Sequence, residues 1–268
     1  LIQDALFTAK SVRELDRLAI EEQGIPGIVL MKRAGRAVLS ELLDAFGAPS
    51  LLSVFCGSGN NGGDGYIVAA LAAEKNIAVR CFEMGGSLSA DTALAKQFAE
   101  QANVSFYAID KDIELDQGVV VDSLLGTGFS GDLRQPCADV IRLINESGLP
   151  VVAVDIASGL NSDTGAVHSI AVQADITLTF IGAKQGLFSG RGPAVSGEVI
   201  YDSLDVEDDI FQQVDASAEL MDLDDLMELL PEPDLDVYKT QRGHGMVVGG
   251  DHGFGGAAIM AAEACLKV

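Results

Sequence analysis

Apolar positions along the first two hundred residues alternate between helical spacing and short continuous runs. Val12, Leu15, Leu18 and Ala19 fall on one face of a helix that begins after Lys10, with Thr8 or Ser11 placed to cap it. A second amphipathic pattern covers 31–45. Beyond it, runs rich in Val and Ile predict strands at 51–56, 78–83, 104–108, 118–122, 151–155, 176–180 and 198–201, with helices at 66–75, 91–102 and 138–147. Strands apolar on both faces and separated by helices predict an α/β protein: a three-layer αβα, Rossmann-like fold around a mostly parallel sheet. In such sheets the ligand lies beyond the carboxyl ends of the strands.

Three strand ends collect the polar and glycine-rich sequence. The run from 51 ends in GSGNNGGDG, the run from 118 in DSLLGTGFSGDLRQP and the run from 151 in DIASGLNSDTG, so all three should open on one edge and share a pocket. The first junction aims backbone N–H groups and the positive end of a helix at one point, which suits a phosphate or another anion. Gly57, Gly59 and Gly62 satisfy the G-x-G-x-x-G pattern, and Glu83 stands near the end of the next strand, where a ribose-binding acid is expected. Asn60, Asn61 and Asp64 exceed what a plain pyrophosphate turn needs. A carboxylate repels phosphate, so Asp64 has another job: accepting from a hydroxyl, holding the loop, or capping a helix that begins near Gly65.

Asp122 and Asp155 each close a strand. A single strand-end Asp is more often a cap or turn former than a functional group, but two facing one anion site favour function. Asn61, Asp122 and Ser158 offer hard oxygen donors with one formal charge, which suits a monovalent cation better than a divalent metal. ASGLN around Ser158 lacks the nucleophile-elbow pattern, and His168, His244 and His252 lie outside these motifs, so a serine-hydrolase triad is unsupported.

Composition narrows the classes. With 268 residues, 48% of them hydrophobic, the chain can bury one full core and part of another. Its 40 acidic against 17 basic residues give a formal charge of −23, which opposes nucleic acid and anionic membranes as partners. Cys56, Cys81, Cys137 and Cys265 show neither a CxxC pair nor a metal spacing and are expected as reduced thiols, with Cys56, Cys81 and Cys265 as small core residues. No run approaches a membrane span and the opening residues lack signal-peptide order, so a cytoplasmic protein is expected. The acidic stretch 203–236, with Pro231 and Pro233, reads as a helix-containing linker whose charge is a solvated face. After it, MVVGG reads as a strand, DHGFGG as a turn and AAIMAAEACLKV as a helix, the start of a second α/β unit.

GSGNNGGDG, DSLLGTGFSGD, VDIASGLNSDTG and ADITLTFIGAKQGLFSGRGPAVSGEV, in this order and spacing, resemble the N-terminal domain of the YjeF family, the NAD(P)H-hydrate epimerases, over about 15–204. RGHGMVVGGDHGFGGAAIMAAEA resembles the opening of the ADP-dependent NAD(P)H-hydrate dehydratase domain that follows the epimerase in bifunctional bacterial enzymes. The resemblance implies an epimerase domain over 1–215, then a linker and a truncated ribokinase-like α/β fragment over 216–268. It implies a small-molecule substrate, NADHX or NADPHX, the nicotinamide cofactors hydrated at C6 of the ring.

Carried over by motif, Asn60, Asn61, Gly62, Gly63 and Asp64 would bind substrate, as would Gly126, Thr127, Gly128, Phe129, Ser130, Gly131 and Asp132. Asp155 would contact substrate, and Asn61, Asp122 and Ser158 would hold a potassium ion. Because the stereocentre is a carbinolamine that can open and reclose, Asp155 is the candidate catalytic acid/base. Lys184 or Arg191 would meet a 2′-phosphate or solvent. The family's habit implies a homodimer. ADP or ATP would serve only the dehydratase half, and the end at Val268 gives the expectation of no dehydratase activity. Lys32 and Tyr238 depart from the family pattern, outside the epimerase motifs. A non-catalytic binding or scaffold module and an NAD(H)-dependent oxidoreductase are the alternatives.

Overall fold

A computed structural model describes residues 4–109, 113–129, 131–221, 226–227, 244–251, 253 and 255–267. The chain opens with a short strand, β1 (Ala5–Phe7), and helix α1 (Ala9–Glu21), where Thr8 Oγ1 accepts from the Ser11 amide at 3.2 Å as a side-chain cap. Helix α2 (Gly27–Phe46) follows. Then strands and helices alternate: β2 (Leu52–Cys56), α3 (Asn60–Glu74), β3 (Val79–Glu83), α4 (Ala90–Gln101), β4 (Ser105–Ala108), β5 (Val119–Ser123), α5 (Cys137–Glu146), β6 (Val151–Val154) and β7 (Ile176–Phe180). A two-residue strand β8 (Ala183–Lys184), a short helix α6 (Gly192–Val195) and strand β9 (Glu198–Asp202) come next.

Seven strands form one sheet in the order β4-β3-β2-β5-β6-β7-β9, every neighbour parallel. The chain builds outward from β2 to β4, returns to β5 beside β2, and then builds the other way. The reversal makes the β2/β5 boundary the topological switch point, where helices leave opposite faces and a crevice opens. Alternation along the strands divides the core in two. Leu52, Val54, Cys56, Val121, Val152 and Val154 meet Leu15, Leu42, Ile67 and Ala95 from α1 to α4. Phe55, Val120 and Ala153 meet Val140, Ile141 and Ile144 of α5, with Leu160 and Val172 beneath.

The alternating elements thus match the sequence pattern, with four differences. Helix α3 starts at Asn60 rather than 66, because the Asn-Gly-Gly-Asp stretch is itself helical. Helix α2 starts at Gly27 rather than 31. A small second sheet joins β1 to β8 and to β10 (Ala218–Glu219), pairings between two- and three-residue segments that carry no local signal. These pairings draw the first compact unit out to Leu220 rather than 215.

In the second unit, 221–268, helix α7 (Gly256–Cys265) has no buried side chain. Where a strand is expected at MVVGG, 246–250 is exposed and without regular structure. Cys265, expected in a core, is exposed, whereas Cys56, Cys81 and Cys137 are buried. Of the acidic stretch, 208–212 forms a 3-10 turn and Leu220 and Met221 lack regular structure; Pro231, Pro233 and Tyr238 lie outside the described residues. Lys32 lies over the Phe98 ring, 3.5 Å from its centre. Among the described residues no helix is long and apolar enough to cross a membrane.

Candidate active site at the switch point

The glycines after β2 let helix α3 start against the strand ends. A Cβ on Gly62 would stand 1.9 Å from the Gly57 carbonyl oxygen, and one on Gly65 would stand 1.9 Å from Ser123 Oγ. Only hydrogen fits at either position, so the first turn of α3 sits directly on the ends of β2 and β5. Gly59 is the N-cap and supplies no side-chain acceptor, which leaves the turn's amides facing the crevice. Asp64 lies well inside α3, so the reading that it caps a helix beginning near Gly65 is incorrect.

The crevice is a cleft of about 520 Å³. It is lined by Ser58, Gly59, Asn60, Asn61 and Asp64, by Leu124 to Phe129, and by Asp155, Phe180, Ile181 and Lys184. Val12, Asp16 and Ile20 of α1 and Leu30 and Met31 of α2 close it with a largely apolar wall. Asn60, Asn61, Asp64, Gly126, Thr127, Gly128, Phe129 and Asp155 are therefore brought together. Gly62 and Gly63 are packed behind the lining, Gly131 and Asp132 are exposed outside it, and Ser130 lies outside the described residues.

Asn61, Asp122 and Ser158 meet beside the cleft. Asp122 is fully buried. Its Oδ2 accepts from Ser158 N at 2.8 Å, and its Oδ1 accepts from Ser158 Oγ at 2.6 Å and Leu124 N at 3.2 Å. Burial pushes its carboxyl up to about 6 against the pull of these donors. Leu125 N donates to Ser158 Oγ at 2.9 Å, and Asn61 Nδ2 donates to Leu125 O at 2.9 Å. Asn61 Oδ1 is buried without a partner. An orphaned amide oxygen beside a carboxylate, a hydroxyl and a carbonyl fits a weakly bound monovalent cation. Among the described residues no cluster of three His, Cys, Asp or Glu side chains could hold a metal ion.

Asp155 has a different setting. Ile156 N donates to Val154 O at 2.8 Å across an Asp155 φ of 67°, a tight γ-turn in left-handed backbone that non-glycine residues rarely adopt. Ile181, at the end of β7, repeats the device with φ 59° and a bond from Gly182 N to Phe180 O at 2.6 Å. Asp155 Oδ1 accepts from Lys184 Nζ in an ion pair. The ammonium also donates to Phe180 O at 3.0 Å and Thr179 Oγ1 at 3.1 Å. Lys184 is 1% exposed, so it meets Asp155 rather than solvent or a 2′-phosphate. Arg191 is exposed and outside the cleft lining.

Two further acids crowd this pair. Burial holds the Asp64 carboxyl well above the usual range, reinforced by Asp155 and Asp16. Burial also raises Asp16 to about 6, with Lys184 pulling down and Asp155 pushing up. Asp16 and the Lys184 pairing were both missed by the motif reading. The available signal for Asp16 was its place on α1: four residues after Val12 and three before Ala19, it puts a carboxylate beside the apolar stripe. Glu83, expected at a ribose, accepts from Tyr66 Oη at 2.7 Å and pairs with Lys96 at 2.6 Å, outside the large cleft.

The family model described as YjeF-related protein N-terminus matches residues 27–186. The chain is 39% identical over 265 residues to the bifunctional NAD(P)H-hydrate repair enzyme Nnr of Coxiella burnetii, covering 98% of this chain and 54% of that one. It is 37% identical over 199 residues to the NAD(P)H-hydrate epimerase of Limosilactobacillus fermentum, covering 72% of this chain and 94% of that one. It spans about half the length of the bifunctional relatives it matches. The crystal structure of yeast ynu0 shares the fold, with a TM-score of 0.62 at 18% identity over 73% of this chain and 86% of that one.

Proposed function

The chain belongs to the YjeF-related N-terminal family, and from that premise we propose that it interconverts the R and S forms of NADHX and NADPHX. The observation that supports this best is the ion-paired Asp155 in the same cleft as the start of α3, a helix end that no side chain caps. The amides suit the substrate's pyrophosphate, and the apolar wall of Leu30, Met31 and Phe180 suits an uncharged dihydropyridine-type ring. Asn60 and Asp64, with Gly126, Thr127, Gly128 and Phe129, are the contacts expected along the substrate. Ser130, Gly131 and Asp132 extend that set by family motif.

The chemistry at C6 is a carbinolamine opening. A base takes the hydroxyl proton, the C6–N1 bond breaks with its electron pair going to nitrogen, and an aldehyde forms. Rotation about the adjacent bond exposes the other face; nitrogen attacks it, and the oxygen regains its proton. Asp155 is assigned to the hydroxyl oxygen, and its tight turn and Lys184 keep the carboxylate in place. Asn61, Asp122 and Ser158 would hold a potassium ion, which supplies a fixed positive charge that steadies the loops beside the substrate. In this reading the protein works in the cytoplasm as a homodimer, and residues 216–268 begin an ADP-dependent dehydratase domain.

The test is chromatographic. R-NADHX in potassium buffer should convert to the S form far faster with the protein than without it. Conversion at the spontaneous rate by a folded sample would refute the assignment.

A further inference from the structure

The proposed reaction moves two protons, and Asp155 accounts for one. When C6–N1 breaks, the electron pair arriving at nitrogen makes a poor leaving group unless a proton arrives with it. A second carrier must stand in the same cleft. Resting on the epimerase reading, we propose that Asp16 of α1 is this second carrier, giving a proton to the ring nitrogen on opening and taking it back on reclosure.

The cleft holds three carboxyls, Asp16, Asp64 and Asp155, around a single ammonium, Lys184. Asp155 takes the ammonium directly. Asp16 lines the cleft between Val12 and Ile20, forms no hydrogen bond among the described residues and so keeps its carboxyl open to a ligand. The charged groups around it are Lys184 of β8, Asp155 after β6, Asp64 of α3, Arg13 on its own helix and Asp91 of α4. Asp163 accepts from the Ala9 amide at 2.6 Å and fixes the start of α1 to the segment following β6, which holds the Asp16 helix over the cleft. Burial lifts Asp16 to about 6, where a carboxyl can both give and take a proton near neutral pH. Burial likewise holds the Asp64 carboxyl above its usual range.

Two protons are exchanged and no electron is gained or lost overall. Opening moves one proton from the C6 hydroxyl to Asp155 and one from Asp16 to N1. Reclosure on the other face returns both.

The experiment follows R-NADHX epimerisation from pH 5 to pH 9 in wild type, Asp16→Asn and Asp16→Glu, with circular dichroism and thermal melting as folding controls. Asp16→Asn should lower kcat about 100-fold while KM changes less than about threefold, and it should erase the fall in rate above about pH 6. Asp16→Glu should recover about tenfold and move that limb. If the Asn variant does not fold, the position of the limb in Asp16→Glu decides alone. An unchanged rate and profile in an active, folded Asp16→Asn protein overturns the role of Asp16. An inactive, folded wild type overturns the epimerase reading and this inference with it.

Discussion

Asp122 ends β5 with both carboxylate oxygens filled by Ser158 and Leu124 donors, in full burial. Asp155, one strand over, stands just past β6 in a left-handed turn, with one oxygen on Lys184 and its side chain lining the cleft. Both are a strand-end Asp followed by glycine-rich sequence. What separates them is burial and partners: the first carboxylate is fully buried and accepts from Ser158 and Leu124, and the second lines the cleft and pairs with a lysine. A structural acid and a chemical acid can share one local pattern, and their partners tell them apart.

The comparison breaks most readily at Asp155. Asp155→Asn should cut epimerisation by about 10³-fold, close to 4 kcal/mol in the barrier, in a protein that still folds but melts lower because the buried Lys184 ammonium loses its ion pair. Full activity in a folded variant would remove Asp155 from the chemistry. Asp122→Ala should act at the level of folding. It strands the Ser158 and Leu124 amides and the Ser158 hydroxyl, and urea titration should show a loss of about 3 kcal/mol.

Asp16 sharpens the contrast through pH. Its folded value of about 6 lies above the unfolded 3.8, so below about pH 3 both states are protonated and nothing is lost. Between about 4 and 6 the unfolded chain releases the proton while the folded protein retains it, so stability falls as pH rises. Asp16→Asn should therefore be more stable than wild type at pH 7 by up to about 3 kcal/mol, with the difference gone at about pH 2.5. Equal gaps at both pH values would contradict this. The smallest effect belongs to the cation. Replacing potassium by tetramethylammonium should lower wild-type stability by about 1 kcal/mol, and the change should vanish in Asp122→Ala.

Much of this was legible in the chain. Continuous Val-rich runs specify strands buried on both faces, and runs such as VVVDS and VVAVD also announce their ends. The helical start of GNNGGDG was harder, because glycine and asparagine are poor helix formers. The turn forms there because hydrogen is the only substituent that fits against Gly57 and Ser123. Strands β1, β8 and β10 are too short to show a period, and MVVGG has strand composition but pairs with no strand among the described residues. Lys184 was readable only as a charge for a 2′-phosphate or solvent, because its pairing with Asp155 joins residues 29 apart in the chain.

The sequence by itself determined the alternation of elements, the parallel sheet and the three strand ends that open on one edge, because burial on two faces and backbone geometry are local requirements. Only the tertiary structure decided which acids share the cleft. The distance between Asp16, Asp64, Asp155 and Lys184 is set by how α1, α3 and the β6 and β7 turns pack, and a carboxyl's proton affinity depends on those neighbours and on burial.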